Sequence, residues 1–342
     1  MPKNIIVCTD GTWEKASDDT NVVKLSRMLI NSSQQVVSYD DGVGADGTLL
    51  EELAGGAFGD GILQKVKNGY SQVAQVYEKD DRIFLFGFSR GAYVARSIAG
   101  MIAVCGLPTG GFDDDFLATA FTAYRAPVQR ASLLGGLGRY NLDAAKITMV
   151  GVWDTVGALG IPAIFGGVES SYQFLDTNLH PNVTSAYHAI AIGERRPQFP
   201  ATLWTPPNPP VHGQTVEQVY FSGVHCDVGG GYPETELSDI TLGWMLGKAN
   251  DLGVLFNGPA FGQYQSIDAE NALGPIHESW SVFYGFPRNR SVASDAALGN
   301  SVVIRYQTAP TYRPPNLAGD GRMLAASYDL VPVVNAPPPT AA

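Results

Sequence analysis

The stretch RIFLFGFSRGAYVARSIAGM, residues 82–101, is the most informative part of the sequence, because it joins an apolar run to a helical pattern through a serine between two glycines. The run IFLF is short and continuous, which is typical of a strand buried on both faces of a parallel sheet. A Gly-x-Ser-x-Gly turn between such a strand and a helix exposes the serine hydroxyl above the sheet, and its glycines let neighbouring backbone approach closely. The stretch therefore predicts that Ser89 is a nucleophile.

Strands and helices alternate along the chain on both sides of this turn. The apolar run NIIVCTD opens the sequence, and the amphipathic segment NVVKLSRMLI follows, with Thr20 or Asn21 as its cap. A strand around QQVVSYD and a helix around GILQKVKNGYSQVAQVYE come next, and KITMVGVWDTVG and VEQVYFSGVHCDVGGGY supply later strands. This alternation predicts an α/β fold in which a mostly parallel central sheet is flanked by helices.

We expect residues 1–330 to form a single α/β domain with lid-like insertions at about 106–145, 158–186 and 255–300. The first two insertions interleave glycines with apolar residues, which favours an acyl-chain pocket under a lid. These apolar residues are Phe112, Phe116, Phe121, Tyr124, Leu133, Leu134, Ile161, Ile164, Phe165, Tyr172 and Phe174. The Pro-rich end, residues 331–342, is predicted to be a disordered tail.

Composition excludes several classes of protein. The chain has 342 residues and a net charge of −11, and its Lys and Arg form no cluster, which argues against a nucleic-acid partner. Three cysteines, at 8, 105 and 226, lie far apart and show neither metal-ligand spacing nor a disulfide pattern, so we expect reduced thiols. The sequence shows no signal peptide or transmembrane segment, which predicts synthesis as a soluble cytoplasmic chain.

Ser89 needs a base, because a free hydroxyl is a weak nucleophile until a histidine accepts its proton. Among five histidines, His225 directly follows the strand-like VYFSGV and precedes three glycines, at the same predicted sheet edge as Ser89. His188 lies in an apolar pattern typical of a core histidine. The others are expected at the surface: His180, His212 and His277. We therefore predict His225 as the base.

A carboxylate must fix the tautomer of that histidine, and Asp154 is the preferred candidate. It ends the predicted strand ITMVGVW and begins a loop, so its side chain reaches across the same sheet edge. Asp227 is the rival, but it lies only two residues from His225, and such close neighbours rarely place a carboxylate behind the imidazole. We interpret Asp227 as a supporting or turn-forming group.

The remaining requirement is an oxyanion hole. One donor in this type of site is the backbone N–H after the nucleophile, here Arg90, and the other comes from the loop after an early strand. CTDGTWE fits that second place, which makes Gly11 or Thr12 the expected donor, with Asp10 as a supporting group.

Asp10 also carries a competing hypothesis. An aspartate directly after the first strand suits an aspartyl nucleophile that works with magnesium, so the chain could instead be a non-catalytic or metal-assisted phosphoryl-binding protein. That hypothesis leaves Ser89 without a role.

Six segments, in order and at their spacing, carry a resemblance to a known family. They are VCTDGTW, TNVVKL, GFSRGAYVARSIAGMI, GVWDTVGALGIP, YHAIAIGERRPQFPATLW and VYFSGVHCDVGGGYPETELSDITLGWML, and they span most of residues 3–250. In these segments the chain resembles the α/β-hydrolase family of the type VI secretion phospholipase effectors, family one. The resemblance implies a nucleophile at Ser89, an acid at Asp154 and a base at His225, in agreement with the choice made from the residues.

The sequence thus predicts a serine esterase of lipase or phospholipase type that cleaves carboxylic esters through a Ser-His-Asp triad and an acyl-enzyme intermediate, without a cofactor or metal. The expected partner is an ester or lipid substrate, with transient membrane contact and no nucleic acid. The resemblance is compatible with export by a signal-independent secretion system, but the sequence identifies no secretion or immunity partner.

Overall fold

Eight parallel strands form the central sheet of the computed structural model, which describes residues 2–11, 18–41, 57–156, 178–317 and 328–334. The strands are β1 Asn4–Thr9, β2 Gln35–Asp40, β3 Arg82–Phe88, β6 Ile147–Trp153, β7 Val183–Ala191, β8 Thr215–Phe221, β9 Ala297–Gly299 and β10 Asp329–Val331. Their order across the sheet is β10-β9-β8-β7-β6-β3-β1-β2, and every neighbouring pair is parallel. Two further short strands, β4 Leu107–Pro108 and β5 Leu142–Asp143, pair antiparallel outside this sheet. The predicted α/β class and parallel sheet are confirmed.

Helices cover both faces of the sheet. The α-helices of the described ranges are α1 Asn21–Met28, α2 Ala57–Val76, α3 Ser89–Cys105, α4 Asp114–Arg125, α5 Arg130–Gly136, α6 His225–Gly229, α7 Glu236–Asp251, α8 Gly258–Gly262 and α9 Asn300–Thr308. Within the described residues, no helix combines the length and the apolar character that crossing a bilayer requires.

The apolar run of β3 is buried on both sides, as its continuous hydrophobicity predicts. Ile83 and Leu85 pack in a cluster with side chains of α2, α3 and α4, whereas Phe84 and Phe86 pack in a second cluster with α1 and α7. Successive side chains of a strand point to opposite faces, so an unbroken apolar run supplies both clusters. Thr20 caps α1 by accepting a hydrogen bond from the Val23 N–H at 3.2 Å.

The two glycines around Ser89 are needed because backbone lies close to each of them. A Cβ atom at Gly91 would lie 2.2 Å from the Thr9 carbonyl oxygen, and one at Gly87 would lie 2.6 Å from the Gly91 carbonyl oxygen. These distances are too short for any side chain. The glycines therefore let the end of β1 and the first turn of α3 lie directly against the end of β3.

The sequence-based boundaries need two corrections. β7 begins at Val183, inside the expected insertion 158–186. Eight of its nine residues are buried, polar ones included, so no solvent-facing side marked it as a strand. Residues 331–334 are ordered rather than part of a tail, since Val334 is buried and its carbonyl oxygen accepts a hydrogen bond from Asn300 Nδ2 at 3.0 Å. Residues 158–177 and 335–342 lie outside the described residues.

Two of the apolar residues expected to line an acyl pocket from the insertion 106–145 are buried instead. Phe116 and Tyr124 are buried in the cluster that α4 forms with α2 and α3, and Phe112 and Phe121 pack against that cluster. Phe116 and Tyr124 therefore hold the insertion onto the helical layer, whereas the half-buried Phe112 and Phe121 each line a surface cleft. The apolar residues expected from the second insertion, which run from Ile161 to Phe174, lie outside the described residues.

Candidate active site

Ser89 stands at the junction of β3 and α3, at the carboxyl edge of the sheet. Its backbone φ is 58°, in the left-handed region that residues with a Cβ seldom adopt. Such backbone strain persists where the surrounding structure fixes it, and it concentrates at functional sites. The close packing around Gly87 and Gly91 provides that constraint, and the turn aims the Ser89 hydroxyl toward the end of β8.

His225 is the first residue of α6, which follows β8. Its Nε2 lies 2.8 Å from Ser89 Oγ. Asn21 holds this region in place, because its Nδ2 donates hydrogen bonds to the carbonyl oxygens of Val228, at 3.0 Å, and Ser238, at 2.9 Å. The imidazole also contacts the ring of Phe88, with centroids 4.6 Å apart. The Asn21 hydrogen bonds thus hold the backbone near His225, and the Phe88 ring packs against the imidazole that faces Ser89.

Asp154 directly follows β6 and approaches the imidazole from the side opposite Ser89. Its Oδ2 lies 2.5 Å from His225 Nδ1, and its Oδ1 accepts a hydrogen bond from the Ala191 N–H at 2.9 Å. Asp154, like Ser89, has a positive φ, of 38°. The three side chains singled out in the sequence therefore form one continuous hydrogen-bonded line: Ser89, His225 and Asp154.

Arg290 completes the surroundings of Asp154, and sequence reasoning missed it. Its Nη1 lies 2.6 Å from Asp154 Oδ1 and its Nη2 lies 2.9 Å from Oδ2, so the guanidinium binds both carboxylate oxygens. The same guanidinium donates to the carbonyl oxygens of Ala191, at 2.8 Å, and Phe199, at 2.7 Å. Arg290 lies in the stretch 255–300 interpreted as an insertion, and no motif in the sequence connects it with Asp154.

The charges of this cluster follow from burial and pairing. Burial by itself raises the pKa of Asp154, but the Arg290 guanidinium and the His225 hydrogen bond hold that pKa well below its usual range. Burial lowers the pKa of His225 below its ordinary value of 6.5, against the opposing effect of Asp154. At neutral pH the carboxylate is therefore ionised and the imidazole neutral, which leaves His225 Nε2 able to accept a proton.

Glu194 supports His225 from the backbone side, and sequence reasoning missed this residue too. Its Oε2 accepts a hydrogen bond from the His225 N–H at 3.2 Å, and it also accepts one from the Ser279 hydroxyl at 3.0 Å. Arg196 pairs with Glu194 through Nε and Nη2, each at 2.9 Å, and stacks over the Phe199 ring. Burial raises the pKa of Glu194, but Arg196 lowers it to about 2, so the carboxylate stays charged.

Asp227 lies outside the line formed by Ser89, His225 and Asp154. Its Oδ2 accepts a hydrogen bond from the Val224 N–H at 2.8 Å, which agrees with the turn-forming role expected for it. Its Oδ1 lies 2.5 Å from Nδ1 of His277, whose Nε2 lies 3.2 Å from Glu234 Oε2. His277 is partly exposed, and Asp227 holds it in a second histidine–carboxylate pair that the sequence did not predict.

His188 is buried in β7 and accepts a hydrogen bond from the Thr155 N–H at 3.0 Å. Burial lowers its pKa to about 3, so the ring stays neutral. His188 therefore supports the loop that begins at Asp154 and does not take part in the line with Ser89.

The residues expected in an oxyanion hole are only partly described. Arg90 follows Ser89 in the first turn of α3, and Gly11 follows Asp10 after β1, whereas Thr12 lies outside the described residues. The Gly11 N–H donates to Asp10 Oδ1 at 2.7 Å and is engaged there. A role for Gly11 or Thr12 as second donor therefore stays a prediction.

Asp10 is held by its own neighbours. Its Oδ2 accepts hydrogen bonds from the Thr20 hydroxyl at 2.6 Å and the Tyr39 hydroxyl at 3.0 Å. Burial raises the pKa of its carboxyl group, against these hydrogen bonds. Across the described ranges, no three His, Cys, Asp or Glu side chains are grouped so that they could bind a metal ion. These contacts fit a carboxylate that fixes the loop after β1.

Comparison with known proteins identifies relatives of this chain. The catalytic-domain family of T6SS phospholipase effectors, Tle1-like, matches residues 3–248. The chain is 29% identical over 232 residues to the uncharacterized protein YEL023C of Saccharomyces cerevisiae strain ATCC 204508 / S288c, which covers 60% of this chain and 33% of that protein. The chain thus spans about a third of the length of the yeast relative.

Two solved structures are similar at 18% identity. One is an uncharacterized protein from Pseudomonas aeruginosa, with a TM-score of 0.43, covering 76% of this chain and 47% of that chain. The other is the Tle1 effector bound to the VgrG spike from the type 6 secretion system, with a TM-score of 0.40, covering 68% of this chain and 52% of that chain. The family match extends over more than half of the sequence, from just before β1 into the last turn of α7. The chain therefore belongs to the Tle1-like catalytic-domain family of type VI secretion phospholipase effectors.

Proposed function

We propose that this protein is a serine hydrolase that cleaves carboxylic esters through an acyl-enzyme intermediate. The observation that carries the proposal is the line from Ser89 Oγ to His225 Nε2, at 2.8 Å, and from His225 Nδ1 to Asp154 Oδ2, at 2.5 Å. A hydroxyl, an imidazole and a carboxylate in this order form the arrangement that activates serine for attack on an acyl carbonyl.

In the first half of the reaction, Ser89 Oγ attacks the ester carbonyl carbon while His225 Nε2 takes the hydroxyl proton. The tetrahedral intermediate collapses, the bond to the leaving oxygen breaks, and His225 returns the proton to that oxygen so that an alcohol departs. In the second half, His225 takes a proton from water, the water oxygen attacks the acyl-enzyme, and the proton returns to Ser89 as the carboxylic acid leaves.

Asp154 contributes by remaining ionised throughout. Its charge favours the His225 tautomer that carries hydrogen on Nδ1, which leaves Nε2 as the acceptor for the Ser89 proton. Arg290 binds both oxygens of Asp154 from behind, so the carboxylate has little freedom to rotate away from the imidazole. We assign Arg290 a positioning role because it acts on Asp154 and not on the reacting atoms.

The oxyanion needs donors that point at the developing negative charge. We propose the Arg90 N–H as one donor and the N–H of Gly11 or Thr12 as the other. Because the Gly11 N–H is bonded to Asp10 Oδ1, its use would require that hydrogen bond to open when an acyl group binds. Substituting Asp10 therefore tests whether this loop takes part.

The family description supports a lipid or phospholipid-like acyl ester as the substrate, and with it export through a type VI secretion system. We further propose a preference for medium over short acyl chains, because glycines and apolar residues interleave in the sequence of 158–186. Because the chain carries a net charge of −11, we also expect weaker action on intact anionic phospholipid vesicles than on dispersed esters.

The proposal is tested with a fluorophosphonate probe, which reacts covalently with an activated serine. We expect labelling of the native protein and none of Ser89→Ala, while Ser97→Ala, which changes another buried serine of α3, keeps the label. Chelator-sensitive activity without labelling would favour the competing metal-assisted hypothesis that centres on Asp10. A panel of p-nitrophenyl esters of rising length tests the substrate, since catalytic efficiency that is highest for acetate and falls steadily with length contradicts the acyl preference.

A further inference from the structure

Three apolar side chains project from one short turn at the surface. Val282, Phe283 and Phe286 are 76%, 93% and 94% exposed, and we call these residues the 282–286 tip. In the rest of the described chain, Val128 is the one large apolar side chain that is more than half exposed. Single exposed apolar residues are common on protein surfaces, but three within five residues mark a contact surface.

The base of the tip is firmly held. Trp280 Nε1 donates a hydrogen bond to the Gly285 carbonyl oxygen at 2.9 Å, and Gln198 Nε2 donates one to the Tyr284 carbonyl oxygen at 3.1 Å. Gly285 has a φ of 78°, which lets the turn close with its N–H bonded to the Val282 carbonyl oxygen at 3.2 Å. The tip is therefore a fixed projection with apolar side chains directed outward.

The tip lies next to the candidate active site. Tyr284, between Phe283 and Phe286, packs edge-on against the Phe199 ring, with centroids 6.4 Å apart. Phe199 in turn packs edge-on against His225, with centroids 5.2 Å apart. A single aromatic ring thus separates the base of the tip from the imidazole that faces Ser89.

We propose that the 282–286 tip inserts into the surface of a phospholipid bilayer and holds the Ser89 site against it. This inference rests on the proposed function, in which the substrate is an acyl ester. A specific protein interface buries about 800 Å² on each partner, far more than a five-residue turn offers. Aromatic side chains, by contrast, insert singly at the boundary between headgroups and acyl chains. Arg288, exposed two residues after Phe286, adds a positive charge suited to the phosphate of a headgroup.

The test measures binding of Ser89→Ala protein to phosphatidylcholine vesicles by cosedimentation, so that hydrolysis cannot alter the lipid. Adding Phe283→Ser and Phe286→Ser should weaken binding about 100-fold, at about tenfold for each lost aromatic insertion. Adding Val128→Ser instead removes an equally exposed apolar side chain far along the sequence and should leave binding unchanged. Because insertion is apolar, binding of the parent protein should persist in about 1 M salt, where charge attraction is screened.

Three results would overturn the inference: no binding of the parent protein to vesicles, equal binding by the Phe283→Ser and Phe286→Ser protein, or a dimer in solution that these two substitutions dissociate. The same double substitution in active protein should leave hydrolysis of a soluble short-chain ester within about twofold, since it touches no reacting group. Vesicle binding through the tip without any ester hydrolysis would contradict the proposed function alone. Ester hydrolysis with tip-independent binding would contradict this inference alone.

Discussion

Two histidine–aspartate pairs lie close together in this protein and share one distance. His225 Nδ1 lies 2.5 Å from Asp154 Oδ2, and His277 Nδ1 lies 2.5 Å from Asp227 Oδ1. Their surroundings differ, since the side chain of His225 is 4% exposed and that of His277 is 23% exposed. The free nitrogen of the first ring faces the Ser89 hydroxyl, whereas that of the second faces the Glu234 carboxylate.

This difference shifts the pKa values of the two imidazoles in opposite directions. Burial lowers the pKa of His225. The Asp154 carboxylate opposes this shift, but the Arg290 guanidinium offsets part of the carboxylate's charge. Burial also lowers the pKa of His277, but hydrogen bonds to Asp227 and Glu234 outweigh it and raise that pKa above its ordinary value. A short distance to a carboxylate therefore does not define a catalytic base, because the group on the far nitrogen and the degree of burial decide which charge the ring carries.

The largest difference in kcat between the two pairs should appear when each imidazole is removed in turn. We expect His225→Ala or Ser89→Ala to lower kcat by about 10⁴-fold or more, because the members of such a triad act as a unit. The matched variant His277→Ala should lower kcat by less than about tenfold, since that ring contacts no proposed reacting group. Steady-state hydrolysis of a soluble p-nitrophenyl ester measures both effects, with circular dichroism as the check on folding.

The two carboxylates provide a second comparison. Asp154→Asn should cost about 10³- to 10⁴-fold in kcat, because the amide no longer favours the required tautomer of His225. Asp227→Asn should cost less than about tenfold, mainly by loosening the turn at Val224. If Asp227→Asn proves far more damaging in a protein that remains folded, the assignment of the acid to Asp154 is wrong.

Arg290 should have an intermediate effect. Arg290→Met leaves Asp154 buried without its cation, and we expect about 10- to 100-fold lower kcat and about 3–5 kcal/mol lower free energy of unfolding. Without the guanidinium, the Asp154 charge acts on His225 alone and raises its pKa, so the acid limb of kcat/KM should move to higher pH. Arg290→Lys should recover part of both losses. A variant with lower activity but an unshifted pH profile would show a purely structural role for this arginine.

The smallest expected effect concerns the pH profile of the native protein. Because the pKa of His225 lies below its ordinary value of 6.5, its base form predominates at neutral pH, and the acid limb of kcat/KM should lie on the acid side of that value. His277 should titrate above pH 6.5 by NMR, and His277→Gln should not move the acid limb. If the acid limb shifts in His277→Gln, the charge on His277 influences the titration of His225, and the two pairs are not independent.

The sequence was most informative where function and local structure share one short motif. The strand, turn and helix around Ser89 follow from an apolar run, two glycines and helical spacing within twenty residues. Asp154 and His225 could be selected because each stands at the end of a strand pattern. The parallel sheet followed from the alternation of elements, although the first residues of the almost entirely buried β7 were assigned to an insertion.

The supporting groups could not be found in this way. Glu194 and Arg290 reach the site through the chain path after β7 and β8, and neither lies in a spacing pattern that indicates its partner. The pairing of His277 with Asp227 likewise joins residues 50 positions apart. Contacts of this kind depend on the tertiary path of loops, which hydrophobic periodicity does not encode.

The ion pair between Arg290 and Asp154 also bears on how this protein can be divided. The family match ends at residue 248, so the matched segment contains Ser89, Asp154 and His225 but not the guanidinium that neutralises the buried carboxylate. A fragment cut there would also lose β9 and expose the edge of β8. We therefore expect that fragment to aggregate or to lack activity although it carries every residue of the recognisable motifs. The segment that the family match covers is therefore smaller than the unit that we expect to fold.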